Sequence, residues 1–132
     1  MCSSDLGTWV LSGANTYTGA TTVSAGTLVA TNAASLGSNA AGTIVPNGAT
    51  LDVQANIGTE AIIVGGTGVG GNGALIASTG IGTVGGAVAL ADDTSLGGNG
   101  TLNVNGAVTG GFDLNKVGAG TTHFGVDRKS VV

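Results

Sequence analysis

The chain has 132 residues, 27 of them glycine and one proline, with 8% charged residues and a net charge of −4. That is enough for one domain, but the composition is far from average. A hydrophobic fraction of 42% excludes the low-hydrophobicity signature of disorder. Glycine without a three-residue period excludes collagen, and three basic residues supply no patch for nucleic acid.

Met1-Cys2-Ser3-Ser4-Asp5-Leu6 lacks the basic start and apolar core of a secretory signal. It reads like the translation of a sequencing adapter, as does Asp127-Arg128-Lys129-Ser130-Val131-Val132 at the other end. Residues 1–6 and 127–132 are therefore expected to be foreign to the fold, leaving 7–126 as the structural segment. That segment holds one basic residue, Lys116, and five acids, Asp52, Glu60, Asp92, Asp93 and Asp113. Without Cys2 it is cysteine-free, which fits an exported chain that must stay unlocked before translocation. No apolar run approaches the roughly 20 residues of a membrane-spanning helix.

A glycine-led strand phrase recurs along the segment. It reads Gly26-Thr27-Leu28, Gly48-Ala49-Thr50-Leu51, Gly73-Ala74-Leu75 and Gly100-Thr101-Leu102, with leucines 23, 24 and 27 residues apart. Intermediate strands are predicted at Gly42-Thr43-Ile44, Ala61-Ile62-Ile63-Val64, residues 84–90 and Ala107-Val108. Between them, residues 32–37 form a turn that Gly37 stops. Asn47-Gly48, Asn72-Gly73, Asn99-Gly100 and Asn105-Gly106 mark corners, because Asn and Gly both tolerate positive φ. Leu51 and Val53 alternate with Asp52 and Gln54, and Leu102 and Val104 with Asn103 and Asn105, the period of strands with one buried face.

Repeats of this length indicate a solenoid. A sandwich or barrel needs bulk to fill a wide core, and here the aromatics are Trp9, Tyr17, Phe112 and Phe124 alone. The expected fold is all-β, a parallel β-helix (β-solenoid) fragment of roughly five rungs.

Residues 7–29, from Gly7-Thr8-Trp9-Val10-Leu11-Ser12-Gly13 through Asn15, Tyr17, Gly19, Val23, Gly26 and Leu28, closely resemble the autotransporter-associated β-strand repeat of type V secreted passengers. A second copy resembles the family's lead-in at Leu114-Asn115-Lys116-Val117-Gly118-Ala119-Gly120, with His123 and Phe124 corresponding to Val10 and Leu11. The resemblance implies a right-handed helix at the cell surface, extracellular and outer-membrane-associated. It also implies a partner, the C-terminal outer-membrane β-barrel translocator of the same parent chain. In the motif Gly13, Gly19 and Gly26 are expected at corners, and Trp9, Leu11, Val23 and Leu28 as inward bulk. Asn15 is expected to stack or bond its own backbone at a turn, and Tyr17 to pack its ring.

Chemistry is sparse. Asp92-Asp93 reads as a solvated turn, His123 as an exposed strand residue without a second metal ligand, and Lys116 as part of the lead-in. Gly65-Gly66-Thr67-Gly68-Val69-Gly70-Gly71 lacks the Lys-Ser/Thr ending of a phosphate loop and reads as a bulge from a rung. No enzyme activity, cofactor or metal is expected. The function expected is a surface-displayed structural segment that aids passenger folding and secretion and acts as a stalk. An adhesive surface for host matrix or glycans is the alternative, and a polysaccharide-active enzyme would need clustered acids on adjacent rungs.

Overall fold

The computed structural model describes residues 7–16, 18–37 and 42–125. The two terminal segments and Tyr17 lie outside them. Every strand pairing among the described residues is parallel. The chain winds as a β-solenoid of about six turns.

Three faces bound the core. The first is built by β1 (Thr8–Leu11), β3 (Gly26–Ala30), β5 (Ala49–Val53), β7 (Leu75–Ile76), the second half of β9 (Val88–Gly97) and β12 (Leu114–Val117). The second holds β2 (Thr21–Thr22), β4 (Thr43–Val45), β6 (Ile62–Gly66), the first half of β9 and β11 (Val108–Thr109). β9 turns the corner and joins these two faces into one ten-stranded sheet. The third face is a separate sheet of β8 (Ile81–Val84), β10 (Thr101–Val104) and β13 (Thr121–Phe124).

Side-chain columns follow from the register. Trp9, Leu28, Leu51, Leu75, Leu96 and Lys116 stand one above the other on the first face. The four leucines are essentially inaccessible to solvent. On the second face the column is Thr21, Thr43, Ile62, Val88 and Val108. On the third, Val84, Val104 and Phe124 point inward while Thr83, Asn103 and His123 point out. Burying one leucine of such a column stabilises by about 1.5–3 kcal/mol, so a narrow tube with few aromatics can still cohere.

The leucine phrase marks a strand after a corner and not one particular face. Leu28, Leu51 and Leu75 are partners, but the next member is Leu96. Leu102 stands on the third face, opposite Gly82 and Thr122. The apparent 27-residue step therefore mixes two faces, and the last turns are 20 residues long, as Val88↔Val108 and Thr101↔Thr121 show. Shorter turns give the first face six strands, where roughly five rungs were expected. Residues 84–90 likewise divide between β8 and β9. The lead-in alignment also separates, because β13 is on the third face and β1 on the first.

In the early turns the third face is irregular. Residues 32–37 make a turn there, with Asn32 Oδ1 accepting from Ala34 N at 2.9 Å and Gly37 at positive φ. No residue other than glycine takes positive φ among the described residues. The asparagines of the Asn-Gly pairs thus stay in ordinary conformations. Glycine is also needed for closeness: a Cβ on Gly106 would lie 1.9 Å from the Gly86 carbonyl oxygen one turn back, whereas a Cβ on Gly111 would meet nothing.

Leu51→Ala, in the middle of the leucine column, is expected to cost about 2–5 kcal/mol. Gly106→Ala should cost about 1–3 kcal/mol from overpacking, and Gly111→Ala no more than about 0.5 kcal/mol. Urea denaturation of the three variants checks this order.

Candidate functional site

The repeat motif divides into residues that fill the core and residues that do not. Val23 and Leu28 are buried, as expected. Leu11 is half-buried against the core. Trp9, expected inward, is 49% exposed although it continues the leucine column. The reason is its place in the first described strand: β3 covers one side of it, and no described strand pairs with β1 on the other.

Of the three corner glycines only Gly26 has positive φ. Gly13 and Gly19 have ordinary φ, and a Cβ would be no closer than 3.6 Å to Asn15 Oδ1 at Gly13 and would meet nothing at Gly19. Asn15 reaches across to the next turn. Its Nδ2 donates to the Ser35 carbonyl at 2.7 Å, and its backbone N–H donates to the Ala34 carbonyl at 3.0 Å. It is a clip between successive turns, holding the irregular third face where no strand ladder runs among the described residues.

The exposed acids are used in the same way. Asp92 accepts from Asn47 Nδ2 at 3.3 Å and from Asp93 N at 2.8 Å, and Asp93 Oδ1 accepts from Asp113 N at 3.0 Å. Asp92 and Asp93 thus lie at the exposed bend of β9, tying three turns together, and not in a free turn. His123 is exposed on β13. Lys116 Nζ donates to the Gly118 and Gly120 carbonyls. Among the described residues no group of three His, Cys, Asp or Glu side chains is placed to hold a metal.

The glycine-rich segment departs from the rung path. Gly65 and Gly66 remain in β6, and residues 67–73 leave the wall through a single 3-10 turn at Val69–Gly71. Thr50 pins it: its Oγ1 accepts from Val69 N at 2.8 Å and donates to the Gly73 carbonyl at 2.9 Å. The pinned loop walls a groove of about 280 Å³ that runs along the outside of the later turns. Ile76 and Val117 give it apolar surface; Asn72, Asn99 and Ser78 supply amide and hydroxyl groups. Ser78 is fixed from behind by buried Asp52, which accepts from Ser78 N at 3.0 Å, from Ser78 Oγ and from Gln54 Nε2 at 3.1 Å. Asp52, on the alternate face of β5, is therefore buried as well. Among the described residues no titratable side chain lines the groove.

Sequence reading identified the loop but missed Thr50, Ser78 and the groove. The available signal was indirect: a polar residue in phase with outward positions beside an insertion.

Stacked parallel turns, an inward leucine column and polar clips between turns define a repetitive β-solenoid. Residues 4–30 match the passenger-associated-transport-repeat family, so this segment is a repeat of the autotransporter passenger type. The match spans the Trp9 to Leu28 motif and the first described turn. No curated protein and no solved structure matches the chain. Such a repeat implies a secreted or surface-exposed passenger whose parent carries a C-terminal translocator. Among the described residues no helix is long and apolar enough to cross a membrane.

Thr50→Val removes the pin without changing side-chain shape much. Leaving the Val69 N–H unpaired costs about 1–3 kcal/mol locally. Hydrogen exchange at Val69 should accelerate, while Leu51 and Leu75 keep their protection.

Proposed function

We propose that this chain is a structural, non-catalytic passenger segment that supports folding and secretion of its parent and acts as a surface stalk. The observation that carries the reading is the leucine column, continuous from Leu28 through Leu96 in unbroken parallel register. Each turn presents the next one with a complete strand edge and a matching apolar column. Folding can then propagate turn by turn, because each contact closes a loop of similar length. A chain emerging progressively at the cell surface can consolidate in that way without waiting for distant segments. The exposed carboxylates contribute to cohesion through inter-turn hydrogen bonds, in place of the paired acid and base that glycoside cleavage uses.

Deleting residues 7–30 from the parent protein should reduce folded, protease-resistant passenger at the cell surface several-fold while leaving its translocator inserted. Full display and full protease resistance after the deletion would refute the role.

The groove favours a second reading, an adhesive surface for a host matrix component or glycan. Its uncharged mixture of amides, a hydroxyl and aliphatic side chains suits a neutral polar ligand. Binding of the complete passenger to immobilised matrix proteins and neutral oligosaccharides, lost on combining Asn72→Ala with Asn99→Ala, would establish it. Equal binding by that variant would place adhesion elsewhere.

A further inference from the structure

Glu60 is 1% exposed, among the largest fully buried side chains of the structure. It precedes β6 in phase with the inward residues Ile62 and Val64, so it points into the core at the corner leading onto the second face. Its Oε1 accepts from the buried Thr43 hydroxyl at 2.7 Å, and its Oε2 has no hydrogen-bond partner. The next turn closes over it: Gly86 packs against the Thr59 and Glu60 carbonyls so tightly that a Cβ there would lie 2.3 Å from the Glu60 oxygen.

Among the described residues no opposite charge compensates this carboxyl. β4, β6, β8 and the turn at residues 85–87 contain no titratable side chain. Asp52 of β5 is engaged outward with Ser78. Asp92 and Asp93 of β9 are beyond the opposite end of β6, where Asp92 packs beside Gly65, roughly 16 Å away along the strand at about 3.3 Å per residue. Burial raises the Glu60 carboxyl above its ordinary value of 4.5, and the single Thr43 hydrogen bond opposes this in part.

We propose that Glu60 is a pH-sensitive lock on the junction of β4, β6 and the turn before β9. As a neutral acid it fits the core, holding Thr43 with one oxygen and carrying its proton on the other. As a carboxylate it places an uncompensated charge between stacked turns, and the junction becomes the most easily opened part of the solenoid.

The sign follows from linkage. Below pH 4.5 the carboxyl is protonated in both the folded and the unfolded chain, and the folded state bears no penalty. As pH rises from 4.5 to the raised folded value, the unfolded chain releases the proton first and stability falls. Above the folded value the penalty is constant. Mild acidity therefore tightens these turns and neutral or alkaline medium loosens them. The proposal is independent of the stalk and adhesive readings.

The test uses the full chain as wild type, Glu60→Gln and Thr43→Val, with urea denaturation from pH 4 to pH 8. Every other titrating group is common to wild type and Glu60→Gln and cancels in their difference. Glu60→Gln should be the more stable protein at neutral pH, and its advantage should shrink by up to about tenfold in the unfolding constant per pH unit on acidification. Thr43→Val, lacking the hydrogen bond that favours the charged form, should extend the loss of stability to higher pH. Carbon-13 NMR of the wild-type Glu60 carboxyl gives a reading that needs no variant, with a midpoint expected above 4.5. A midpoint at or below the ordinary glutamate value overturns the proposal. So does a wild-type to Glu60→Gln difference that is the same at every pH.

Discussion

A strand in this molecule can satisfy its backbone only on the turn before and the turn after it, and that requirement governs everything else. Within a face, register cannot slip by one residue without sending the leucine column to the outside. Length variation is therefore expelled to the corners. Successive partners on the first face are 19 residues apart from Thr8 to Thr27, 23 from Thr27 to Thr50, 24 from Leu51 to Leu75 and 21 from Leu75 to Leu96. The inward columns remain aligned through all of these changes. The loop at residues 67–73, the register shift between Val64 and Gly66, and the turn at residues 32–37 are where surplus residues go.

Stacking also accounts for the odd composition. Equivalent positions on neighbouring turns are about 4.7–4.9 Å apart, so a charge repeated at one position would face its own kind along the whole wall. Neutral polar residues avoid that cost. The columns Thr8, Thr27, Thr50 and Thr101, Thr121 are instances. Where acids do occur together, at Asp92 and Asp93, amide and backbone N–H groups, that of Asp113 among them, bind their carboxylates. At the corners, backbone of one turn lies against backbone of the last, and Gly106 over Gly86 leaves no room for a side chain.

Much of this was legible in the sequence, because the pattern of a solenoid is local. Glycine-led phrases located the strands of Leu28, Leu51, Leu75 and Leu102, and alternation gave their inward sides. What the phrases could not convey was which face each strand joins. A face is defined by pairing with another turn, and Gly-Thr-Leu looks the same on the first face at Leu28 and on the third at Leu102. Trp9 was assigned to the core by the motif; it stands in the leucine column but is exposed, since burial depends on a neighbour on each side. Asn15 was read as a residue that stacks or bonds its own backbone at a turn; the bond of its Nδ2 to Ser35, 20 residues away, leaves no mark in the sequence. Glu60 sits at a position that alternation with Ile62 and Val64 does mark as inward; its charge argued for the surface, and the pattern prevailed over the residue type.

That exception shows how a repetitive stack acquires local character. Leucine columns make every turn equivalent, and equivalence favours a stalk that folds by propagation. A buried acid with one partner breaks the equivalence at a single junction, at Thr43 and Glu60, without interrupting the ladder through β4 and β6. Its cost falls on the stability of those turns and not on register, because the backbone hydrogen bonds from Thr43 N to Ala61 O and from Ile62 N to Ala87 O do not involve the side chain. A fold whose strength is the sum of nearest-neighbour terms can tolerate one weak term and open there first. Stability can thus be adjusted at one turn while the shape of the whole is retained.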